Sequence, residues 1–156
     1  VDRERREAKA REALGLVGLA DFAHVYPGEL SGGMQQRLAL ARSIALDVDL
    51  LLMDEPLSAL DALLREQLQD TLLELWHKEG YAQLLVTHSI DEAVYLGQRI
   101  VVLSARPGHV VGVLDNPAMG KAAYRGSSAY YELCNEIRAL LRDASHVNED
   151  EEACHA

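Results

Sequence analysis

The sequence predicts an α/β fold, a layered architecture with a helical piece in front. Two observations carry that expectation: short apolar runs alternate with long amphipathic stretches through the middle of the chain, and two adjacent strand-like runs follow near the end. The segment ahead of them shows helical patterning joined by a loop.

Taken in order, residues 3–14 read as a helix that closes at a turn around Gly15 and Gly18. Arg3, Arg5, Arg6, Lys9 and Arg11 are interleaved there with Asp2, Glu4, Glu7 and Glu12, which reads as a solvated face supported by i,i+4 pairs. The stretch from Asp21 to Gly33 has no sustained period and reads as a loop. It leads into a helix beginning near Ser31, a plausible N-cap, with Met34, Leu38, Ala41 and Ile44 or Ala45 at helical spacing and an end near Leu46. Leu50 to Asp54 is a continuous apolar run that ends in a charge, the pattern of a buried strand whose C-terminal end reaches a site.

From about Asp61 to Glu79 a long amphipathic helix carries Leu64, Leu68, Leu72 and Leu75 on one face, with Gly80 as its stop. Residues 83–87 read as a second strand, leading through His88 to a short helix over 91–96. Residues 99–103 and 109–114, joined by Arg106-Pro107-Gly108, read as a hairpin. A last helix is expected over 129–141, and the acidic stretch from Asp143 onward as disordered.

Composition narrows the function classes. With 156 residues and 49% hydrophobic content, the chain can bury one sizeable core. It holds 25 acidic and 15 basic residues, a net charge of −10, and has no basic stripe, which argues against a nucleic-acid partner. The longest apolar runs are far too short to span a bilayer and no signal peptide is recognisable, so a cytoplasmic location is expected. Cys134 and Cys154 suggest neither a disulfide framework nor a zinc site.

Four segments hold residues suited to chemistry. In Leu30-Ser31-Gly32-Gly33-Met34-Gln35-Gln36-Arg37, a serine and two glycines precede a helix, which places backbone N–H groups where a phosphate can approach. The alternative is an ordinary glycine-rich N-cap turn. In the segment ending Met53-Asp54-Glu55-Pro56, a strand closes in two carboxylates: Asp54 could hold a hard cation such as Mg2+, and Glu55 could orient or deprotonate a water. The alternative there is a solvated acidic turn. Ser58-Ala59-Leu60-Asp61 could be a helix cap with Ser58 or Asp61 as its capping residue. His88, flanked by Thr87 and Ser89, could touch a terminal phosphate, or belong to a helix-capping cluster.

Together, LSGGMQQR, LLLMDEP, SALD and VTHSIDEA, in that order over residues 30–93, resemble the ATP-binding-cassette (ABC) transporter ATPases. The resemblance implies part of a P-loop NTPase core, residues 49–115, behind part of a helical subdomain, residues 1–48, with a C-terminal helical extension over 116–142 and a disordered tail over 143–156. It implies that Ser31, Gly32, Gly33 and Gln35 belong to a signature loop that meets ATP held by the opposite subunit. Asp54 becomes the Mg2+ carboxylate, Glu55 the catalytic glutamate, Ser58 to Asp61 the loop that crosses a dimer interface, and His88 the switch histidine. Met34 stands where much of the family has glutamine. Ser104-Ala105-Arg106-Pro107-Gly108-His109-Val110 resembles the subgroup importing nitrate, sulfonate, taurine and similar solutes.

The partners implied are a second ATPase subunit in a head-to-tail dimer, a transmembrane permease and a solute-binding protein, at the cytoplasmic side of a membrane. A loop of the form G-x-x-x-x-G-K-[ST] does not occur: the one Gly-Lys pair, Gly120-Lys121, is followed by Ala122. The parent protein is therefore expected to hydrolyse ATP and this chain alone to be inactive. A non-catalytic module that supplies the signature in trans is the competing expectation. The resemblance further implies a phosphate-loop strand lying between the strands that end at Asp54 and Thr87, whose removal would leave two apolar strand edges.

Overall fold

The computed structural model describes residues 2–46, 48–106, 108–121 and 123–153, with side chains through residue 144. The chain divides into two compact units, Val1–Val86 and Thr87–Ala156.

The first unit opens with α1, Arg3–Leu16. Its charged face is solvated as expected, and Arg3 Nε pairs with Glu7 Oε1 at 2.9 Å one turn on. An exposed pair of this kind contributes about 0.3–0.5 kcal/mol. The expected loop that follows holds two short 3-10 turns, Ala20–Phe22 and Pro27–Glu29, which periodicity does not announce. The second turn is tied by Tyr26 N–H donating to Glu29 Oε2 at 3.0 Å.

Helix α2, Gly32–Ile44, starts at the Ser31 N-cap. Strand β1, Leu50–Asp54, and helix α3, Ala62–Glu79, come next, followed by β2, Ala82–Val86. Helix α3 ends where the sequence places its end, because Gly80 takes the left-handed conformation (φ 70°) that a residue with a Cβ adopts only at a cost. The core of this unit includes Val17, Leu19, Leu57, Leu68 and Leu72.

Strands β1 and β2 pair directly and in parallel, with Leu52 opposite Leu84 and Asp54 opposite Val86. The two strands serve as each other's ladder partner, so the expectation that a phosphate-loop strand separates them is corrected. The alternation of β1 buries Leu51 and Met53 and leaves Leu50 and Leu52 exposed; on β2, Leu84 and Val86 are exposed as well. The uncovered apolar surface therefore includes a sheet face, in addition to the outer edge that each strand of this two-stranded sheet keeps open.

The second unit holds α4, Ile90–Leu96, then β3, Arg99–Leu103, and β4, Val110–Asp115, which form the expected antiparallel hairpin. Helix α5, Ser128–Ala153, packs on α4, β3 and β4. It continues past the expected end at Leu141. Between Gly126 and the end of α5 no glycine or proline interrupts the chain, and the glutamates of the acidic stretch are good helix formers. Cys154 lies outside the described residues.

Val94, Ile100, Val102, Cys134 and Ile137 form the core of this unit with Tyr124 and Tyr130. The two phenols are satisfied within it: Tyr124 OH donates to Asn116 Oδ1 at 2.9 Å and Tyr130 OH to Asp91 Oδ1 at 3.0 Å. Burial raises both phenol pKa values above the ordinary 10.0, helped at Tyr130 by the Asp91 charge and opposed at Tyr124 by the Asn116 bond. The folded unit thus holds these protons more tightly than the unfolded chain. That contribution is fully present below about pH 10 and is lost as pH rises through the folded values. The guanidinium unfolding midpoint of this unit is therefore expected to fall between about pH 9 and about pH 11, and Tyr130→Phe to flatten the fall. An unchanged midpoint across that range would contradict the assignment.

Candidate functional site

The N-terminus of α2 is built by Ser31, whose Oγ accepts the Met34 N–H at 3.4 Å. The N-cap turn weighed from sequence is thus present, and the question is what the two glycines add to it. Ser31 and Gly32 are exposed and Gly33 is half-buried. A methyl group placed on Gly32 would meet nothing within 4 Å, and on Gly33 only ordinary contacts, the nearest being Ala59 O at 3.5 Å. Packing inside the chain does not require glycine at either position, although glycine at the start of a helix has an entropic cost. Small residues there suit the close approach of an outside group to the helix N-terminus.

The 54–61 segment runs beside that helix end. Asp54 shares the exposed sheet face with Leu50 and Leu52. Glu55 N–H still donates to Val86 O, at 2.9 Å, and then the chain turns sharply. Glu55 takes φ 49°, a left-handed conformation outside glycine's usual monopoly. Holding a non-glycine residue there costs about 1–3 kcal/mol, and Pro56 further narrows the choices of the residue before it. Three donors converge on the Glu55 carbonyl: Gln36 Nε2 at 2.7 Å, Ser58 Oγ at 3.0 Å and Ser58 N–H at 3.3 Å.

Gln36 does more. Its second amide hydrogen reaches Ser58 Oγ at 3.1 Å, and its Oε1 accepts the Ala59 N–H at 3.0 Å. Farther along, Arg65 braces the same loop by donating to Leu60 O at 2.6 Å and Leu57 O at 3.4 Å. Asp61 caps α3 by accepting the Leu64 N–H at 3.0 Å. Of the two capping candidates weighed from sequence, Asp61 is the N-cap and Ser58 serves the Glu55 turn.

Ser31, Gly32, Gly33, Gln35, Asp54, Glu55 and Asp61 all lie in the first unit. Gln35 donates through Nε2 to Pro27 O and Leu30 O, both at 3.1 Å, so its amide hydrogens hold the preceding loop. His88 belongs to the second unit, on the lead-in to α4. Around it stands the capping cluster that was the alternative reading: Ser89 Oγ accepts the Glu92 N–H at 3.3 Å, Thr87 Oγ1 accepts the Ser89 N–H at 3.0 Å, and the Thr87 hydroxyl donates to the Glu92 carboxylate. The His88 side chain itself is exposed.

Among the described residues no group of three or more His, Cys, Asp or Glu side chains is placed to hold a metal. A hard cation such as Mg2+ keeps most of its waters and needs one or two carboxylates when a phosphate supplies other oxygens, and the exposed Asp54 carboxylate at the end of β1 could serve as one. A cavity of about 440 Å³ lined by Glu12, Leu46, Val48, Leu51 and Leu75 sits toward the N-terminal end of β1, whereas the carboxylates stand at its C-terminal end. It is not the candidate site.

Residues 1–58 match the family model described as "ABC transporter". The chain is 46% identical, over 96% of its length, to the taurine import ATP-binding protein TauB of Rhizobium johnstonii, of which it covers 58%. It belongs to the ABC transporter ATPases. The TauB of Pseudomonas entomophila is 52% identical over 71% of this ABC chain, which covers 43% of that protein. Among solved structures, the dimeric ATP-binding cassette MJ0796 bound to ADP and Pi matches with a TM-score of 0.66 at 34% identity, over 74% of this chain and 49% of the cassette. The chain thus spans about half the length of the curated relatives it matches. No helix among the described residues is long and apolar enough to cross a membrane.

Proposed function

We propose that the chain is part of the energy-coupling ATPase subunit of an importer for taurine, another sulfonate or a similar small solute. The observation that carries this reading is the placement, within one unit, of an open helix N-terminus and a braced turn bearing Asp54 and Glu55, with the Ala59 carbonyl against Gly33. Its similarity to two TauB proteins supports the solute class, as does the Ser104–Val110 segment. In this reading residues 1–48 belong to the helical subdomain, 49–115 to the ATPase core and 116–142 to a C-terminal extension.

Glu55 accepts the proton of a water as that water attacks the γ-phosphorus of ATP, and the bond to the bridging oxygen breaks to release ADP and phosphate. Asp54 would hold Mg2+, which when bound would supply charge neutralisation on the phosphate oxygens. Ser31, Gly32 and Gly33 offer N–H groups to the ATP of a partner subunit. His88 is assigned separately, by resemblance, to contact with a terminal phosphate. A permease, a solute-binding protein and the cytoplasmic face of the membrane complete the proposed setting.

The test mixes this chain with an intact homologous subunit whose signature serine is disabled and measures magnesium-dependent ATP hydrolysis. Hydrolysis restored only in the mixture is expected, since Ser31–Gly33 then act in trans. A folded chain that restores nothing would refute the proposal for the signature.

A further inference from the structure

We propose that Gln36 is a positioning residue for the Glu55 carboxylate, acting through the backbone of the turn that carries it. This rests on the reading of Glu55 as the proton acceptor.

Every hydrogen-bonding atom of the Gln36 amide is engaged by residues 55–59. Nε2 gives one hydrogen to Glu55 O and the other to Ser58 Oγ, while Oε1 takes the Ala59 N–H. The amide has one workable orientation. Turned over, its oxygen would face the Glu55 carbonyl and its NH2 would face the Ala59 N–H, two repulsive contacts. Glu55 sits in a backbone conformation that a glutamate does not hold unaided, and its direction out of the strand follows from that conformation. The shortest hydrogen bond to its carbonyl is the one from Gln36, at 2.7 Å, and it comes from a helix that begins at the signature serine. The signature helix and the carboxylate turn therefore share a rigid three-point link, and a change at one end is conveyed to the aim of the carboxylate at the other.

Two substitutions separate this from a role in stability alone. Gln36→Leu removes all three bonds at similar size. Gln36→Glu keeps an acceptor for Ala59 but sets a carboxylate oxygen against the Glu55 carbonyl. Both are placed in the ATPase subunit of the assembled transporter and read by kcat, by KM for ATP, and by amide hydrogen exchange at Ala59 without nucleotide. For both, kcat is expected to fall about ten- to a hundredfold, as misplacement of a reacting group does, with KM changed less than about twofold. Exchange at Ala59 is expected to quicken about tenfold in Gln36→Leu and to stay near that of the unaltered protein in Gln36→Glu.

An unaltered kcat in folded Gln36→Glu would overturn the proposal, as would a loss in either variant that disappears once the folded fraction is corrected for. If Gln36→Leu does not fold, Gln36→Glu decides. Glu55→Gln measured alongside separates the two levels. Retained hydrolysis there defeats the functional reading itself, whereas lost hydrolysis there with normal rates in Gln36→Glu defeats this proposal alone.

Discussion

Replacing Glu55 with Gln in the protein that carries this chain is expected to lower magnesium-dependent ATP hydrolysis by about 10²–10⁴-fold, the usual contribution of a positioned general base. The substitution keeps the side chain's size and leaves the strained backbone conformation to be held by the same three donors, so folding and nucleotide binding should change little. What it removes is the ability to take a proton from water. Steady-state rates combined with a nucleotide-binding titration decide the matter. Hydrolysis within about threefold of the unaltered protein would move the proton acceptor elsewhere.

The second large effect concerns stability. Ile137 is 3% exposed in the core of the second unit, where α5 meets α4 and the β3–β4 hairpin. Truncation to alanine is expected to cost about 2–5 kcal/mol through lost transfer energy and the cavity left behind. Against the roughly 5–15 kcal/mol of a whole domain, that is a large share, and a midpoint decrease of at least about 10 °C should follow in a unit of this size. Leu103→Ala, on the exposed side of β3, provides the contrast and should stay within about 0.5 kcal/mol. Equal effects at the two positions would mean that α5 does not seal the core as described.

Local rules made much of this chain legible from sequence. Ser31, Asp61 and Gly80 mark helix ends through their own chemistry, and they stand where the structure ends or begins α2 and α3. The far end of α5 was not legible because no stop residue marks it. The pairing of β1 with β2 depends on which distant run comes to lie alongside, which local patterns do not encode; the resemblance suggested a neighbour and the structure places another.

The site divides in the same way. Asp54 and Glu55 are conspicuous as two carboxylates at a strand end, and Ser31–Gly33 as small residues before a helix. Gln35 and Gln36 are adjacent and chemically identical, and only the phase of α2 against residues 55–59 sends one to the Pro27 and Leu30 carbonyls and the other to Glu55. No feature of the sequence distinguishes those two fates. The left-handed turn at Glu55 was equally hidden, since sequence rules reserve that conformation for glycine and asparagine.

That turn sets the chain's evolution at odds with its durability. Glycine at position 55 would occupy the same backbone shape without steric penalty, so selection for heat resistance alone would favour discarding the glutamate. On the proposed function, keeping the carboxylate at this position trades a more robust turn for chemistry. Directed evolution of a sturdier variant should accordingly couple every thermal screen to an activity screen at this position.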